Sequence, residues 1–159
     1  MVEHEHPATH RPPDDHEGAY ELLQRGRALS AARHHAQAAI VLERAAQQEP
    51  GKGSILEALG HAYYNSGQRA RAAETFEALL EIDPSAHYAH FALGQSLKLL
   101  GRRREAWTHL RLAVALAPDS ELYRGALARI RPPDPPDTTS PDATSPDAAS
   151  PDAQRDRAD

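Results

Sequence analysis

The sequence predicts an all-α fold: a solenoid of three stacked helical hairpins closed by a short C-terminal helix, with disordered termini. Three observations predict it. The chain superposes on itself at an offset of 34 residues. Within each copy, apolar residues recur at spacings of three and four on both sides of a short polar break, the period of helices that bury one face. Only three of the 13 prolines, Pro50, Pro84 and Pro118, lie between residues 19 and 130, one near the end of each copy.

Four columns carry the offset: Gly26, Gly60 and Gly94; Ala38, Ala72 and Ala106; Leu42, Phe76 and Leu110; and the three prolines. Leu29, Tyr63 and Leu97 follow each glycine by three residues and agree in type. The first copy, residues 19–52, reads as two helices parted at Arg33-His34-His35, where no glycine stands. The second, 53–86, places Leu56, Leu59 and Tyr63 before the break Ser66-Gly67-Gln68, and Ala72, Phe76, Leu79 and Leu80 after it. Ser54 followed by Glu57 offers a capping box for its first helix. The third, 87–120, breaks at Leu100-Gly101-Arg102 and ends at Pro118-Asp119-Ser120. At the breaks, glycine supplies the left-handed backbone that ends a helix. A small residue at Gly60 or Ala72 lets two helix backbones approach, and Phe76 fills the groove beside them. One hairpin cannot bury its own apolar face, so the copies must stack, and residues 120–130 read as the helix that caps the stack.

Composition bounds the function. With no cysteine, disulfide scaffolds, thiolate metal sites and cysteine nucleophiles are excluded, which suits a reducing cytoplasm. The N-terminus is acidic where a secretory signal needs positive charge, and no run of 18 apolar residues exists to span a membrane. Arginine-rich, alanine- and proline-rich usage points to a bacterial source. Residues 1–18 hold one basic and five acidic residues, 19–130 fourteen against eleven, and 131–159 three against seven. The mildly basic middle excludes a strongly polycationic nucleic-acid-binding domain. From Pro132 onward, Ser140-Pro141-Asp142-Ala143 recurs at 145–148 and 150–153 with nothing apolar to bury, so the tail reads as an acidic, disordered arm; its serines could serve as phosphorylation sites, but a solvating linker is preferred. His4, His6, His10 and His16 sit among Glu3, Glu5, Asp14 and Asp15, an adequate but irregular ligand set, and the leader is read as a polar disordered segment rather than a metal site. His34-His35 and His87-x2-His90 are taken as surface or partner-contacting histidines. No Gly-rich phosphate loop, no nucleophile elbow and no HExxH occurs, so neither catalysis nor a cofactor is expected.

The 34-residue period and the middle copy's Leu56-x2-Leu59-Gly60-x2-Tyr63, Ala72-x3-Phe76 and Pro84 resemble the tetratricopeptide repeat, with Leu56 where that pattern has tryptophan. The resemblance covers residues 19 to about 120 and implies a right-handed superhelix. Three positions depart from it: Arg25 stands for a leucine, His90 for an apolar anchor, and Leu79 for an alanine.

The same resemblance implies that the first helix of each copy lines a concave groove that binds a peptide or a folded partner. Its inward positions are Tyr20, Leu23, Gln24 and Arg27; Glu57, His61, Tyr64 and Asn65; and Tyr88, Phe91, Gln95 and Lys98. Aromatic and arginine side chains are common anchors of binding surfaces, because they bury large area with few rotors. Members that clasp a C-terminal chaperone peptide use Lys, Arg and Asn on these helices. The corresponding places here hold Leu23, Arg27, Ala58, Tyr88 and Ala92, which disfavours a carboxylate clamp.

A second surface is basic. Arg69 with Arg71, and Arg102, Arg103 and Arg104, follow the breaks and would line one edge of the stack. That edge could meet an anionic polymer or the acidic tail, but no aromatics are interleaved with it, and nucleic acid is the weaker partner. The reading is therefore a non-catalytic cytoplasmic adaptor for a protein or peptide, with two alternatives: a small chaperone for an unfolded client, and a binder of anionic polymer through the arginine edge.

Overall fold

The computed structural model describes residues 17–130, and these form seven α-helices and no strand. In order they are α1 (Ala19–Ala31), α2 (His35–Gln48), α3 (Gly53–Asn65), α4 (Arg69–Ile82), α5 (His87–Leu99), α6 (Arg103–Leu116) and α7 (Glu121–Ala128). Each helix packs chiefly on its neighbours in sequence, α1 on α2, α2 on α3 and so on to α6 on α7, which is the contact pattern of a solenoid. The leader histidines His4, His6, His10 and His16 and the tail with Ser140, Ser145 and Ser150 lie outside the described residues.

The close approach expected at the glycine column occurs in every copy. A side-chain carbon at Gly60 would lie 2.7 Å from Phe76 Cζ, and one at Gly94 would lie 2.8 Å from Leu110 Cγ. Gly26 meets Leu42 in the same way. Phe76, Leu42 and Leu110 are almost wholly buried, so the glycine of the first helix is the socket for the large residue of the second.

The three breaks share one geometry. Arg33, Gly67 and Gly101 occupy the left-handed region at φ 65°, 83° and 81°. In each, the following amide reaches back to close the helix: His34 N–H to Leu29 O, Gln68 N–H to Tyr63 O, and Arg102 N–H to Leu97 O, at 2.8 to 2.9 Å. The first copy makes this turn without glycine.

One local expectation is corrected. The capping box at Ser54 and Glu57 does not form: α3 begins at Gly53, its cap residue is Lys52, and no side chain caps it. The cap column is Lys52, Ala86 and Ser120, and there only Ser120 accepts a hydrogen bond, from Tyr123 N–H at 3.4 Å. The hydroxyl at 54 is already inside the first turn, too late to reach the free amides.

The three departures from the repeat are each accommodated. Arg25 points outward and pairs with Glu17. Leu79 is buried against Gly53, whose missing side chain leaves it room, with 3.4 Å to an added carbon. His90 is 8 % exposed and hydrogen-bonded on both ring nitrogens.

Candidate functional site

The inward faces of α3 and α5 bring their aromatic rings together because the two helices occupy equivalent places in successive copies. His61 lies flat on Tyr88, centroids 5.0 Å apart and planes 12° apart, with Nδ1 3.4 Å from the tyrosine hydroxyl. Phe76 from α4 stands edge-on to both, at 6.3 and 6.5 Å. Tyr88 continues to Phe91 at 6.2 Å, and Phe91 stacks on Tyr123 of α7 at 4.8 Å. The Tyr123 hydroxyl closes the row on His87 Nδ1, 2.9 Å away. The result is a concave hollow of about 220 Å³ lined by His61, Tyr64, Phe76, Tyr88, Phe91, Ala92 and Gln95.

A second hollow of about 240 Å³ adjoins it, lined by Arg27, Ser30, His35, Glu57, Ala58, His61 and Asn65. His61 is the wall between the two. Its burial pushes the imidazole below its ordinary 6.5, and the Glu57 carboxylate only partly offsets this, so the wall is uncharged at neutral pH. Burial likewise raises the Tyr88 phenol, with the negative charge of Glu57 adding to the shift. His35 Nδ1, in the polar hollow, is buried without a hydrogen-bond partner.

Of the twelve groove positions read from the sequence, Arg27, Glu57, His61, Tyr64, Asn65, Tyr88, Phe91 and Gln95 line these hollows. Leu23 does not: at 6 % exposure it belongs to the core between α1 and its neighbours. Tyr20, Gln24 and Lys98 lie outside both hollows, and Tyr20 is 67 % exposed. Sequence reasoning missed Phe76 as part of the hollow, having assigned it wholly to packing. The available signal was its size, since the same column holds leucine in the other copies and the ring extends past the glycine socket.

The arginine edge is partly engaged within the fold. Arg71 pairs with Glu43 at 3.0 Å and lies 4.2 Å over the Tyr63 ring, whose hydroxyl donates to the same carboxylate at 2.7 Å. Arg102 pairs with Glu105, its Nε donating at 2.8 Å. Arg69, Arg103 and Arg104 are exposed at the starts of α4 and α6. His87 and His90, three residues apart, do not act as a pair: one faces Tyr123, the other His109 and Pro84. Among the described residues, no helix is long and apolar enough to cross a membrane.

Comparison with known proteins agrees with this architecture. The sequence model of the tetratricopeptide repeat matches residues 22–92. No curated protein matches the chain. Among solved structures, YrrB, described as a TPR protein with an unusual peptide-binding site, superposes with a TM-score of 0.68 at 23 % identity, covering 70 % of this chain. This chain spans 58 % of that protein's length. The TPR domain of Sgt2 from Aspergillus fumigatus superposes at 0.64 and 22 % identity, covering 69 % of this chain and 74 % of its own. The first TPR of Spaghetti (RPAP3), bound to the HSP90 peptide SRMEEVD, gives 0.66 at 16 %, covering 69 % and 87 %. At these identities the likeness is one of fold, and it agrees with the period, the glycine sockets and the shared turns: residues 22–92 match the tetratricopeptide repeat, and the seven helices have the fold of proteins built from it.

Proposed function

We propose that this chain is a non-catalytic adaptor that holds a peptide or helix of a partner protein in its concave groove. The observation that carries the reading is the aromatic hollow. Five rings, of His61, Tyr64, Phe76, Tyr88 and Phe91, converge on one concave surface. Such rings lose few rotors on binding and offer hydroxyl and imidazole groups to orient a backbone, with the Gln95 amide beside them. The adjoining Arg27 and Glu57 add a polar end, as expected where a hydrophobic anchor is flanked by orienting charges. One protein of the same fold bound to a peptide, and another described as having a peptide-binding site, support this use. The single cation at the inward positions of α1, α3 and the first half of α5 argues against a carboxylate clamp for the C-terminus of a chaperone peptide. A reducing cytoplasm is the compartment proposed, from the lack of cysteine.

The reading is tested by affinity capture with the full chain, the Tyr64→Ala/Gln95→Glu variant and the Arg103→Glu/Arg104→Glu variant, at low and high salt. Phe91→Ala is the poorer probe, because Phe91 also holds α7 through Tyr123. Groove binding predicts a defined partner retained at both salts by the wild type and the arginine variant, and lost from the groove variant. A diffuse set of unfolded clients would instead favour the chaperone reading. Salt-sensitive nucleic acid lost from the arginine variant would move the function to the edge.

A further inference from the structure

We infer that the aromatic hollow has a resident occupant: the segment Pro132–Asp137 of the same chain, folded back from the end of α7. The inference rests on the groove reading, because it places a regulator in the same hollow.

Where the chain leaves the described fold is the first argument. Helix α7 takes the place that the first helix of a fourth copy would hold, and Tyr123 ties it to His87 and Phe91 of α5. Ile130, 2 % exposed, is anchored in the core. A single residue, Arg131, therefore separates the anchored end of the fold from the proline segment, which follows the helix that Tyr123 holds against the lining residue Phe91.

The segment itself is Pro132-Pro133-Asp134-Pro135-Pro136-Asp137, a repeat of three residues. Proline fixes φ near the polyproline II value, and that helix has three residues per turn. Its three edges are then Pro132 with Pro135, Pro133 with Pro136, and Asp134 with Asp137. Two edges are flat, pre-ordered rings, which aromatic-lined grooves bind at low entropic cost. The helix also leaves its carbonyls unpaired, and the Tyr64 and Tyr88 hydroxyls and the Gln95 amide are suitable donors. The acidic edge has its complement in Lys98, one turn beyond Gln95, and in Arg27 of the adjoining hollow. Six residues at about 3.1 Å each span about 19 Å, enough to cross α5 and α3 at ordinary helix spacing.

The chain has no cysteine, so Thr138→Cys supplies a unique nitroxide site just past the segment. In the full chain, the amide signals of Tyr64, Phe91 and Gln95 should lose more than half their intensity relative to the reduced label, while those of Arg69 and Arg103 change far less. Adding Pro133→Ser and Pro136→Ser, outside the described fold, should restore the groove signals. A mixture of isotope-labelled chains without nitroxide and nitroxide-bearing unlabelled chains should show no groove broadening. Broadening in that mixture would assign the groove to a second copy; broadening at the arginine edge, or spread evenly, would remove the tail from the groove. Each result overturns the inference. Loss of partner capture in the Tyr64→Ala/Gln95→Glu variant, with no tail contact, would leave the adaptor reading standing and this one fallen.

Discussion

His90 and His109 meet nitrogen to nitrogen, with Nδ1 of one 3.0 Å from Nδ1 of the other. The tautomers follow from the partners. Nε2 of His90 donates to the carbonyl of Pro84, 3.1 Å away, so its Nδ1 carries a lone pair and the proton between the rings belongs to His109. A pair of a buried His90 and a half-buried His109 thus replaces the aliphatic residue that Leu22 and Leu56 supply at this position in the first two copies, and it links α6 to the turn before α5.

The pair predicts a pH-dependent fold. Burial, then the neighbouring His90, pushes the His109 imidazole below 6.5; Glu105 opposes this and Arg102 adds to it. Burial also lowers His61. An unfolded histidine takes its proton near 6.5 and these two take theirs at lower pH, so the unfolded chain binds more protons across that window and stability falls as pH is lowered through it. Melting temperature should therefore decline between pH 7.5 and 5.5. His90→Leu, which restores the residue type of the other copies, should flatten the decline without removing it, since His61 remains. An unchanged slope in that variant would place the dependence elsewhere.

The glycine socket predicts a steric cost. Gly60→Ala sets a carbon 2.7 Å from a phenyl ring that is 1 % exposed and has nowhere to retreat, so urea denaturation should show a loss of about 1 to 3 kcal/mol. At Gly67 nothing lies within 4 Å of an added carbon, and only the left-handed φ of 83° resists. Gly67→Ala should cost about 1 kcal/mol.

These two glycines show how the sequence spoke. The period and the column of Gly26, Gly60 and Gly94 were legible because the socket must recur wherever two helices of a copy touch. The breaks were legible at Gly67 and Gly101 for their backbone, and Arg33 was recognised by position alone. Helix starts were not: Lys52 and Ala86 cap without side chains, so Ser54 attracted an assignment two residues late. In the site, the rings of α3 and α5 could be named from the resemblance to the tetratricopeptide repeat, whose inward positions they occupy. Burial of Leu23, the entry of Phe76 from α4 and the reach of Tyr123 from α7 depend on how the copies pack against one another, which no single copy encodes.

Arg33 adopts φ 65° where the other copies have glycine. Arg33→Gly removes the clash between Cβ and the following carbonyl and adds chain entropy to the unfolded state, and the first effect is the larger. The variant should be stabilised by roughly 0.5 to 1 kcal/mol, read as a higher denaturation midpoint with an unchanged slope.

Within the basic edge, Arg71 should differ from its neighbours. It lies over Tyr63 and pairs with the carboxylate that accepts the tyrosine hydroxyl, joining α2, α3 and α4. Arg71→Glu should cost about 1 kcal/mol, since its side chain is half exposed and the contact is screened. Arg103→Glu and Arg104→Glu should stay within about 0.5 kcal/mol of wild type by the same denaturation assay.

Each glycine and the bulky residue that fills it, Gly26 with Leu42, Gly60 with Phe76, Gly94 with Leu110, stand 16 residues apart inside a single copy. Length is therefore quantised for this chain. Duplication or loss of a whole 34-residue unit keeps every socket with its own plug, and the solenoid can lengthen or shorten without redesigning its interior. Insertion of one residue within a helix turns everything after it by about 100° about the helix axis and parts the plug from the socket. Such a chain tolerates growth in whole units far better than in single residues, and lineages built from it would differ in copy number while the spacing inside each copy stays fixed.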